Sequence, residues 1–316
     1  MQRTSFILKP TPPYDFELTA GYASNFRGRY GADIFEGGTY RRLLDIGGQL
    51  TLAVVRSTGS PDSPRLEAEL KGNSLDDAAM SEAQHQIIRL LGVEGDLTPF
   101  NEMALLDSHL TPFVRGLRGL HLPLAVSTYE ALILAILGQQ ISTHVARMLR
   151  TLLIETYGSS AQIEGETYYT FPRPEKVVEV GADGLRAIKF SVRKAEYIID
   201  ISSRVASGEL DLEGLRHQSS DEAIEKLTSI RGVGPWTAHW LLVRALGHRD
   251  GFPHGDLALQ RTMGLLVNGG VPMSAQDALD YSERWSPYRS YVTTYLFAAT
   301  RSGRFDEFCK ADEFGP

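Results

Sequence analysis

Cysteine and long apolar runs are scarce in this sequence of 316 residues. A single cysteine, Cys309, excludes a disulfide framework, a zinc site built from cysteines and an iron–sulfur cluster. The longest apolar run, from Ala131 to Leu137, is too short to cross a membrane, and no run near the first residue is long enough for a signal peptide. We therefore expect a cytoplasmic protein of about two domains that does not bind membranes.

Positive charge is also in short supply. The chain has 32 lysines and arginines against 39 aspartates and glutamates, which gives a formal net charge of −7. This balance counts against a protein that binds nucleic acid through its overall charge, but not against one that binds through a local contact face. The 8 histidines show no His-Glu-x-x-His spacing, so no catalytic metal site is predicted from them.

The apolar pattern changes along the chain. Up to about residue 57, short apolar runs alternate with glycine-rich turns, as is typical of strands. From about Ser81 the apolar residues repeat with the period of a helix, and helices joined by short polar loops are predicted for the remainder. The pattern predicts an α+β fold, with an α/β domain over residues 1–95 and an all-α domain over residues 96–316.

A tight turn with two glycines and two nearby tryptophans stands in the stretch "IRGVGPWTAHW". Gly232 and Gly234 permit backbone angles that other residues resist, so two helices joined by a Gly-x-Gly turn are predicted over residues 221–247. The residues that delimit these helices are Ser219 and Glu222 in a capping box, Pro235 in the first turn of the second helix, and Gly247 at its end. Ser127 and Glu130 have the spacing of a second capping box.

The predicted hairpin could bind an anion. A tight turn leaves unpaired backbone N–H groups at the start of the second helix, where the helix dipole also favours a phosphate. Neither glycine carries a side chain that blocks the approach, and such a contact needs no net positive charge. On this pattern alone, a structural αα-hairpin with no ligand is the favoured alternative.

The stretches "LTSIRGVGPWTAHWLLVRALG" and "FPHGDLALQ" resemble the signature of the helix-hairpin-helix (HhH-GPD) base-excision DNA glycosylase superfamily. The chain most resembles its bacterial 3-methyladenine DNA glycosylase II family. The stretches "PPYDFELTAGY", "GLHLPLAVSTYEALILAILGQQIS" and "YSERWSPYRSYVTTYLF" follow the order of that family, so the resemblance covers nearly the whole chain. Arg231 departs from it, because a proline often precedes the first glycine. The resemblance implies a TATA-binding-protein-like N-terminal domain, then a two-lobed helical domain with the site between its lobes.

The resemblance also implies a catalytic role for Asp256. Cleavage of an N-glycosidic bond builds positive charge on the sugar, which a fixed carboxylate stabilises while it orients the attacking water. Taken alone, an aspartate before a stretch with the pattern of a helix is most often an N-cap, and it is the distance of Asp256 from the hairpin that favours catalysis. The family's base pocket maps to Trp236, Trp240, Phe297 and Tyr22, whose rings could attract a base that alkylation has made positive. Core packing is the alternative for these four aromatic residues.

Further contacts follow from the same resemblance. The predicted DNA-binding residues are Gly232, Gly234, Thr237, Gln139 and Gln140. Gln140 matches the residue that fills the gap left by a flipped base, although it is polar where other family members carry an apolar side chain. The backbone carbonyls predicted to hold a structural monovalent cation, Na⁺ or K⁺, belong to Thr228, Ile230 and Val233. No other cofactor is expected.

The resulting prediction is a monomeric, monofunctional DNA glycosylase of base excision repair, a hydrolase of the 3-methyladenine DNA glycosylase II type. It would act on alkylated bases such as 3-methyladenine and 7-methylguanine in double-stranded DNA, in the cytoplasm at the nucleoid. One alternative is an 8-oxoguanine-type glycosylase with lyase activity, which needs a lysine where Trp236 stands. Another is a non-catalytic helix-hairpin-helix DNA-binding module, which gives no reason for Asp256 or for the aromatic residues.

Overall fold

The computed structural model describes residues 1–311. Six strands lie in the first part of the chain: β1 (Gln2–Leu8), β2 (Arg29–Tyr30), β3 (Asp33–Glu36), β4 (Thr39–Ile46), β5 (Gln49–Ser57) and β6 (Leu66–Gly72). They form one antiparallel sheet in the order β1-β6-β5-β4-β3-β2. Two helices accompany the sheet, α1 (Phe16–Ala23) and α2 (Asp77–Leu90).

The sheet is covered on both faces. Neighbouring residues of a strand point to opposite faces, and on β4 the buried Leu44 and Leu43 belong to different cores. Leu44 packs in the core that contains Ala20 of α1 and Ile87 of α2. Leu43 packs on the other side with Tyr168, which comes from a second, two-stranded sheet. Burial on both sides explains the nearly continuous apolar run in β5.

That second sheet corrects the prediction of an all-helical remainder. Strands β7 (Ser160–Ile163) and β8 (Glu166–Tyr169) form a hairpin within the helical region. The two turn residues, Glu164 and Gly165, both have positive φ angles, of 54° and 88°, which suits a two-residue hairpin turn. The hairpin was missed because its strands are short, and their apolar residues are buried by a sheet that lies about a hundred positions earlier in the chain.

Twelve further helices make up the rest of the described chain. They are α3 (Thr98–Ala104), α4 (Thr111–Gly116), α5 (Thr128–Gly138), α6 (Thr143–Tyr157), α7 (Pro174–Ala187), α8 (Val192–Ala206), α9 (Ser220–Thr228), α10 (Pro235–Leu241), α11 (Leu257–Val267), α12 (Ala275–Ser282), α13 (Arg289–Ser302) and α14 (Phe305–Ala311). Short 3₁₀ segments span Glu213–His217 and Glu283–Trp285, and a π-helical turn spans Leu242–Leu246. Among the helices of residues 1–311, none has both the length and the apolar character that a membrane crossing needs.

These helices divide between two cores. Helices α5 to α10 bury one apolar cluster, whereas α3, α4 and α11 to α14 bury a second one together with Tyr22 of α1. The predicted α+β fold, with a sheet domain before a helical region of two lobes, is therefore confirmed apart from the hairpin. The predicted domain boundary at residue 95 lies in the segment between α2 and α3.

The helix starts differ in part from the predicted ones. Helix α2 begins at Asp77 rather than near Ser81, because the side chain of Asp76 accepts a hydrogen bond from the N–H of Ala79. The capping box of Ser219 and Glu222 is present at the start of α9. The second predicted capping box is only half formed.

At the start of α5, the Ser127 hydroxyl accepts from the Glu130 N–H at 3.0 Å, as a capping box requires. The Glu130 carboxylate, however, does not return to the backbone of Ser127. It accepts a hydrogen bond at 2.6 Å from Arg42 on β4, a buried cation that needs a charged partner. The prediction of a complete capping box was wrong for this reason.

Candidate active site

The Gly-x-Gly turn joins α9 to α10, and its two glycines differ. Gly232 has a φ of +92°, and a Cβ atom there would lie 2.4 Å from the ring of Tyr197 on α8. This position therefore requires glycine for its backbone angle and for the close approach of the ring. Gly234 has a φ of −97°, which any residue can adopt, and a Cβ atom there would have no neighbour within 4 Å. The expectation that both positions need special backbone angles holds only for Gly232.

The first turn of α10 leaves backbone donors available. Pro235 has no N–H, and the first intrahelical bond runs from the Ala238 N–H to the Gly234 carbonyl at 3.0 Å. The N–H groups of Trp236 and Thr237 consequently have no carbonyl acceptor within the helix. The Thr237 side chain is buried, so a contact of this residue with a phosphate would have to use its backbone.

The two glutamines after α5 face different surroundings. The Gln139 side-chain amide donates to the Gly232 carbonyl at 3.0 Å and to the Thr237 hydroxyl at 3.2 Å, so it braces the hairpin turn from within the protein. Gln140 is exposed and has a φ of +55°. Of the two predicted DNA contacts, only Gln140 therefore presents a free side chain at the surface.

Asp256 stands immediately before α11, and its two carboxylate oxygens have different partners. Oδ1 accepts from the backbone N–H groups of Ala258 and Leu259, at 2.8 and 3.0 Å, so Asp256 is the N-cap of α11. Oδ2 accepts from the indole Nε1 of Trp236 at 3.0 Å. The structure thus brings together the predicted catalytic carboxylate and the first tryptophan of the hairpin, and the N-cap role given above as the alternative for Asp256 is also present.

Two of the other predicted aromatic residues line one cleft, whose lining includes neither Trp236 nor Asp256. Trp240 lies one helical turn after Trp236, on the same face of α10, and lines the cleft together with Tyr22. The cleft lies between the sheet domain, α5 and the hairpin. Phe297 on α13 adjoins it through Arg301, whose guanidinium lies 5.1 Å from the Phe297 ring and 5.2 Å from the Tyr22 ring.

These arginines correct one interpretation of the aromatic residues. Tyr22 is 1% exposed and Phe297 8% exposed, and the guanidinium of Arg244 lies 4.8 Å from the Tyr22 ring as well. Of the four rings expected to attract a positively charged base, those of Tyr22 and Phe297 therefore already lie beside cations of the protein itself. Trp240 and Trp236 are only partly buried.

The arginines of the cleft were not identified from the sequence. Arg42 donates to Asp33 at 2.8 Å and to Glu130 at 2.6 Å. Burial opposes its charge, but these two carboxylates together hold the pKa of Arg42 above its usual value. Arg244 was detectable, because it interrupts the apolar run "LLVRAL" of a predicted buried helix, and a charge at such a place needs an explanation.

The hairpin carbonyls predicted to hold a cation include that of Ile230, which also has a partner within the protein. The Ile230 carbonyl accepts a hydrogen bond from the Val233 N–H at 3.0 Å, which leaves a second lone pair of that oxygen. Within residues 1–311, no group of three or more histidines, cysteines, aspartates or glutamates could hold a metal ion. The cation at the carbonyls of Thr228, Ile230 and Val233 stays a prediction.

The chain is similar to proteins of known function. Residues 133–270 match the family model described as "HhH-GPD superfamily base excision DNA repair protein". A DNA-3-methyladenine glycosylase of Bacillus subtilis is 37% identical over 205 residues, which are 65% of this chain and 68% of that protein. The DNA-3-methyladenine glycosylase 2 of Escherichia coli is 29% identical over 57% of this chain and 60% of its own length.

Solved structures of DNA glycosylases share the fold of this chain. The structure of a 3-methyladenine DNA glycosylase from Archaeoglobus fulgidus superimposes with a TM-score of 0.81 at 26% identity, over 94% of this chain and 98% of that one. An 8-oxoguanine glycosylase/lyase of Clostridium acetobutylicum gives a TM-score of 0.74 at 19% identity, which shows a shared fold alone. The chain therefore belongs to the HhH-GPD superfamily of base excision DNA repair proteins, in its 3-methyladenine DNA glycosylase II-like family.

Proposed function

We propose that this protein is a monofunctional DNA glycosylase that flips alkylated bases out of double-stranded DNA and hydrolyses their N-glycosidic bonds. The observation that carries the proposal is the hydrogen bond between Trp236 and Asp256, which fixes a carboxylate beside the hairpin. The names of the relatives support an alkylated base as the substrate.

The geometry suits the chemistry of this bond. As the base leaves, positive charge develops on the sugar, and a carboxylate held in place stabilises that charge without reorganisation. Two backbone N–H groups and one indole N–H hold the Asp256 carboxylate in one orientation. The same carboxylate can orient the water that attacks the sugar.

DNA binding would depend on a few groups at the protein surface rather than on the overall charge. The exposed Gly234 and the free N–H groups of α10 can approach a phosphate, and Gln140 can enter the gap left by the flipped base. Arg29 and Arg147 line one open groove at the start of α6, so positive charge is available locally despite the net charge of −7. A Na⁺ or K⁺ ion at the hairpin carbonyls would increase the affinity for DNA. We expect the protein to act as a monomer in the cytoplasm.

The principal alternative within the fold is a glycosylase with lyase activity. Strand cleavage needs an amine that attacks the sugar and forms a Schiff base. Trp236 occupies the position where the lyase branch carries its lysine. The amine of Lys194 donates to the carbonyls of Leu137 and Gln139, both at 2.7 Å, and Lys226 is exposed on α9. None of these groups supplies a nucleophile beside Asp256.

Product analysis tests the proposal. The protein is incubated with duplexes that carry one defined 7-methylguanine or 8-oxoguanine, and base release and strand length are measured with and without alkali. We expect release of 7-methylguanine, an intact strand with an abasic site that breaks only in alkali, and no adduct after borohydride treatment. Efficient borohydride trapping, or faster release of 8-oxoguanine, would assign the protein to the lyase branch instead.

A further inference from the structure

The loop that leads from the hairpin to Asp256 is held in place by α13 in its first half. Asp250 forms an ion pair at 2.6 Å with Arg289, at the start of that helix. The hydroxyl of the buried Ser290 accepts a hydrogen bond from the Gly251 N–H at 2.9 Å. These contacts do not reach the last residues before Asp256, which are held by a different group.

Gln260 on α11 holds that last part of the loop. Its side-chain amide donates to the His254 carbonyl at 2.9 Å, and its backbone N–H donates to the Asp256 carbonyl, also at 2.9 Å. Gln260 therefore joins the chain before the carboxylate to the helix after it. Within residues 1–311, no other group donates a hydrogen bond to the His254 carbonyl.

The same short segment also packs against α10. The Asp256 N–H donates to the Pro253 carbonyl at 2.8 Å, which closes a tight turn. The His254 ring lies beside that of His239 on α10, with 5.3 Å between the ring centroids. This turn therefore lies between the helix that carries Trp236 and the helix that Asp256 caps.

The proposed chemistry depends on where the Asp256 carboxylate lies. A carboxylate stabilises the cationic sugar only if it is fixed at the place where the charge develops. Its two bonds to backbone N–H groups fix it relative to α11, and the Trp236 indole fixes it relative to α10. The turn sets the backbone from which the carboxylate projects, and Gln260 fastens this turn to α11.

We propose that Gln260 is a positioning residue of the excision reaction, whose amide holds the turn before Asp256 so that the carboxylate meets the sugar of the flipped nucleotide. The proposal rests on the proposed function, because it takes Asp256 as the group that stabilises the cationic sugar. It goes beyond that function by assigning a role to a residue that acts through Asp256 alone.

The test compares two abasic analogues in otherwise identical duplexes. One carries a pyrrolidine ring, whose protonated nitrogen imitates the positive charge on the sugar, and the other carries a neutral tetrahydrofuran ring. Both affinities are measured at one salt concentration, and their ratio reports how well the protein stabilises the charge. A change that only weakens the fold or DNA binding lowers both affinities and leaves their ratio unaltered.

Gln260→Met removes the amide but keeps an unbranched side chain of similar length. We expect the preference for the pyrrolidine duplex to fall about tenfold, since a displacement of about 1 Å can cost up to about 100-fold. Single-turnover release of 7-methylguanine should fall by a similar factor, with little change in affinity for the tetrahydrofuran duplex. In the Asp256→Asn background, the same substitution should leave the preference unchanged.

Gln276→Met is the matched control, because the Gln276 amide donates in the same way to Asp280 on α12, at 2.7 Å. Its preference should equal that of the wild type. If thermal unfolding shows that Gln260→Met does not fold, Gln260→Leu takes its place.

A preference in the folded variant within about twofold of the wild type, the scatter of independent changes, would overturn the proposal. So would an equal fall in the Asp256→Asn background, because Gln260 would then act without the carboxylate. If the wild type released no base and did not prefer the pyrrolidine duplex, the proposed function would fail as well. That result differs from a wild-type preference that Gln260→Met retains, which removes the positioning role alone.

Discussion

The two oxygens of Asp256 divide two tasks between them. Oδ1 caps α11 through two backbone N–H groups, and Oδ2 receives the indole N–H of Trp236. An uncharged amide can perform the first task, because asparagine caps helices about as well as aspartate. It cannot supply the negative charge that stabilises the sugar as the base departs. A single substitution can therefore separate the structural role from the proposed chemical one.

Asp256→Asn should fold normally but lose base excision by at least about 100-fold, the scale of removing one preorganised electrostatic partner. The measurement is single-turnover release of 7-methylguanine, with thermal unfolding as the check on the fold. Near-normal excision in this variant would rule out the proposed mechanism.

Asp76→Asn is the matched control. Asp76 caps α2 in the same way, with its carboxylate accepting from the Ala79 N–H at 2.8 Å, but it belongs to the sheet domain. We expect its excision rate to equal that of the wild type. A comparable loss in both variants would mean that helix capping, and not the charge of Asp256, governs the rate.

The sequence identified the residues whose roles depend on local spacing. Trp236 and Asp256 lie 20 positions apart within one recognisable motif, so their proximity could be expected. Arg301 lies over Tyr22, which is far away in the chain, and no periodic pattern connects such residues. Long-range cation–π contacts are set by how the two lobes and α1 meet, and the sequence alone does not show that.

The hairpin turn owes its shape to a neighbouring helix. On α8, the Tyr197 ring packs where a side chain of Gly232 would stand, and the Lys194 amine holds the carbonyls of Leu137 and Gln139. Gln139 in turn donates to the Gly232 carbonyl. One helix therefore supports both loops that we expect to contact DNA, and the outward side of Gly234 stays open.

Gly234→Asp tests the hairpin as a DNA contact. The change should weaken binding to damaged and undamaged duplexes alike, by at least about tenfold, because like charges a few ångströms apart repel by a few kcal/mol near a protein surface. Affinity is measured for both duplexes at one stated salt concentration. Unchanged affinity for both duplexes would show that the hairpin is not a DNA contact.

Gly234→Ala provides the control for the added side chain. The φ of −97° suits alanine, and its Cβ atom would meet nothing within 4 Å, so the fold should be kept and binding should change little. If alanine weakened binding as much as aspartate, close backbone approach rather than charge would set the affinity.

Elements were predicted well where their signals were local. The capping box at Ser219 and the end of the hairpin at Gly247 agree with the structure, because each depends on residues within one or two turns. The ion pair of Glu130 with Arg42 and the β7–β8 hairpin were not predicted, because the partners of both lie across the molecule, on β4 and β5.

At the scale of the whole molecule, Arg42 joins the sheet to the helical region. It lies on β4, is 2% exposed, and donates both to Asp33 near the sheet edge and to Glu130 in the first turn of α5. Removal of one member of a buried ion pair leaves an uncompensated charge, which costs more than the pair contributes.

Arg42→Met should lower the free energy of unfolding by about 3–5 kcal/mol, because Glu130 then keeps a buried charge without a partner. The double variant Arg42→Met/Glu130→Gln should recover part of the loss, which chemical denaturation can measure. Arg118→Met, which breaks an exposed pair with Asp62, should change stability little. Equal losses in the single and double variants would contradict the prediction.

The β7–β8 hairpin has a consequence for synthesis on the ribosome. It covers one face of the N-terminal sheet, where Leu43, Leu52 and Val54 are buried together with Ile163 and Tyr168. The ribosome completes β6 roughly 100 residues before it completes β8, which at about 5–20 residues per second takes about 5–20 s. During that interval the nascent sheet has an uncovered apolar face, the kind of surface that chaperones bind.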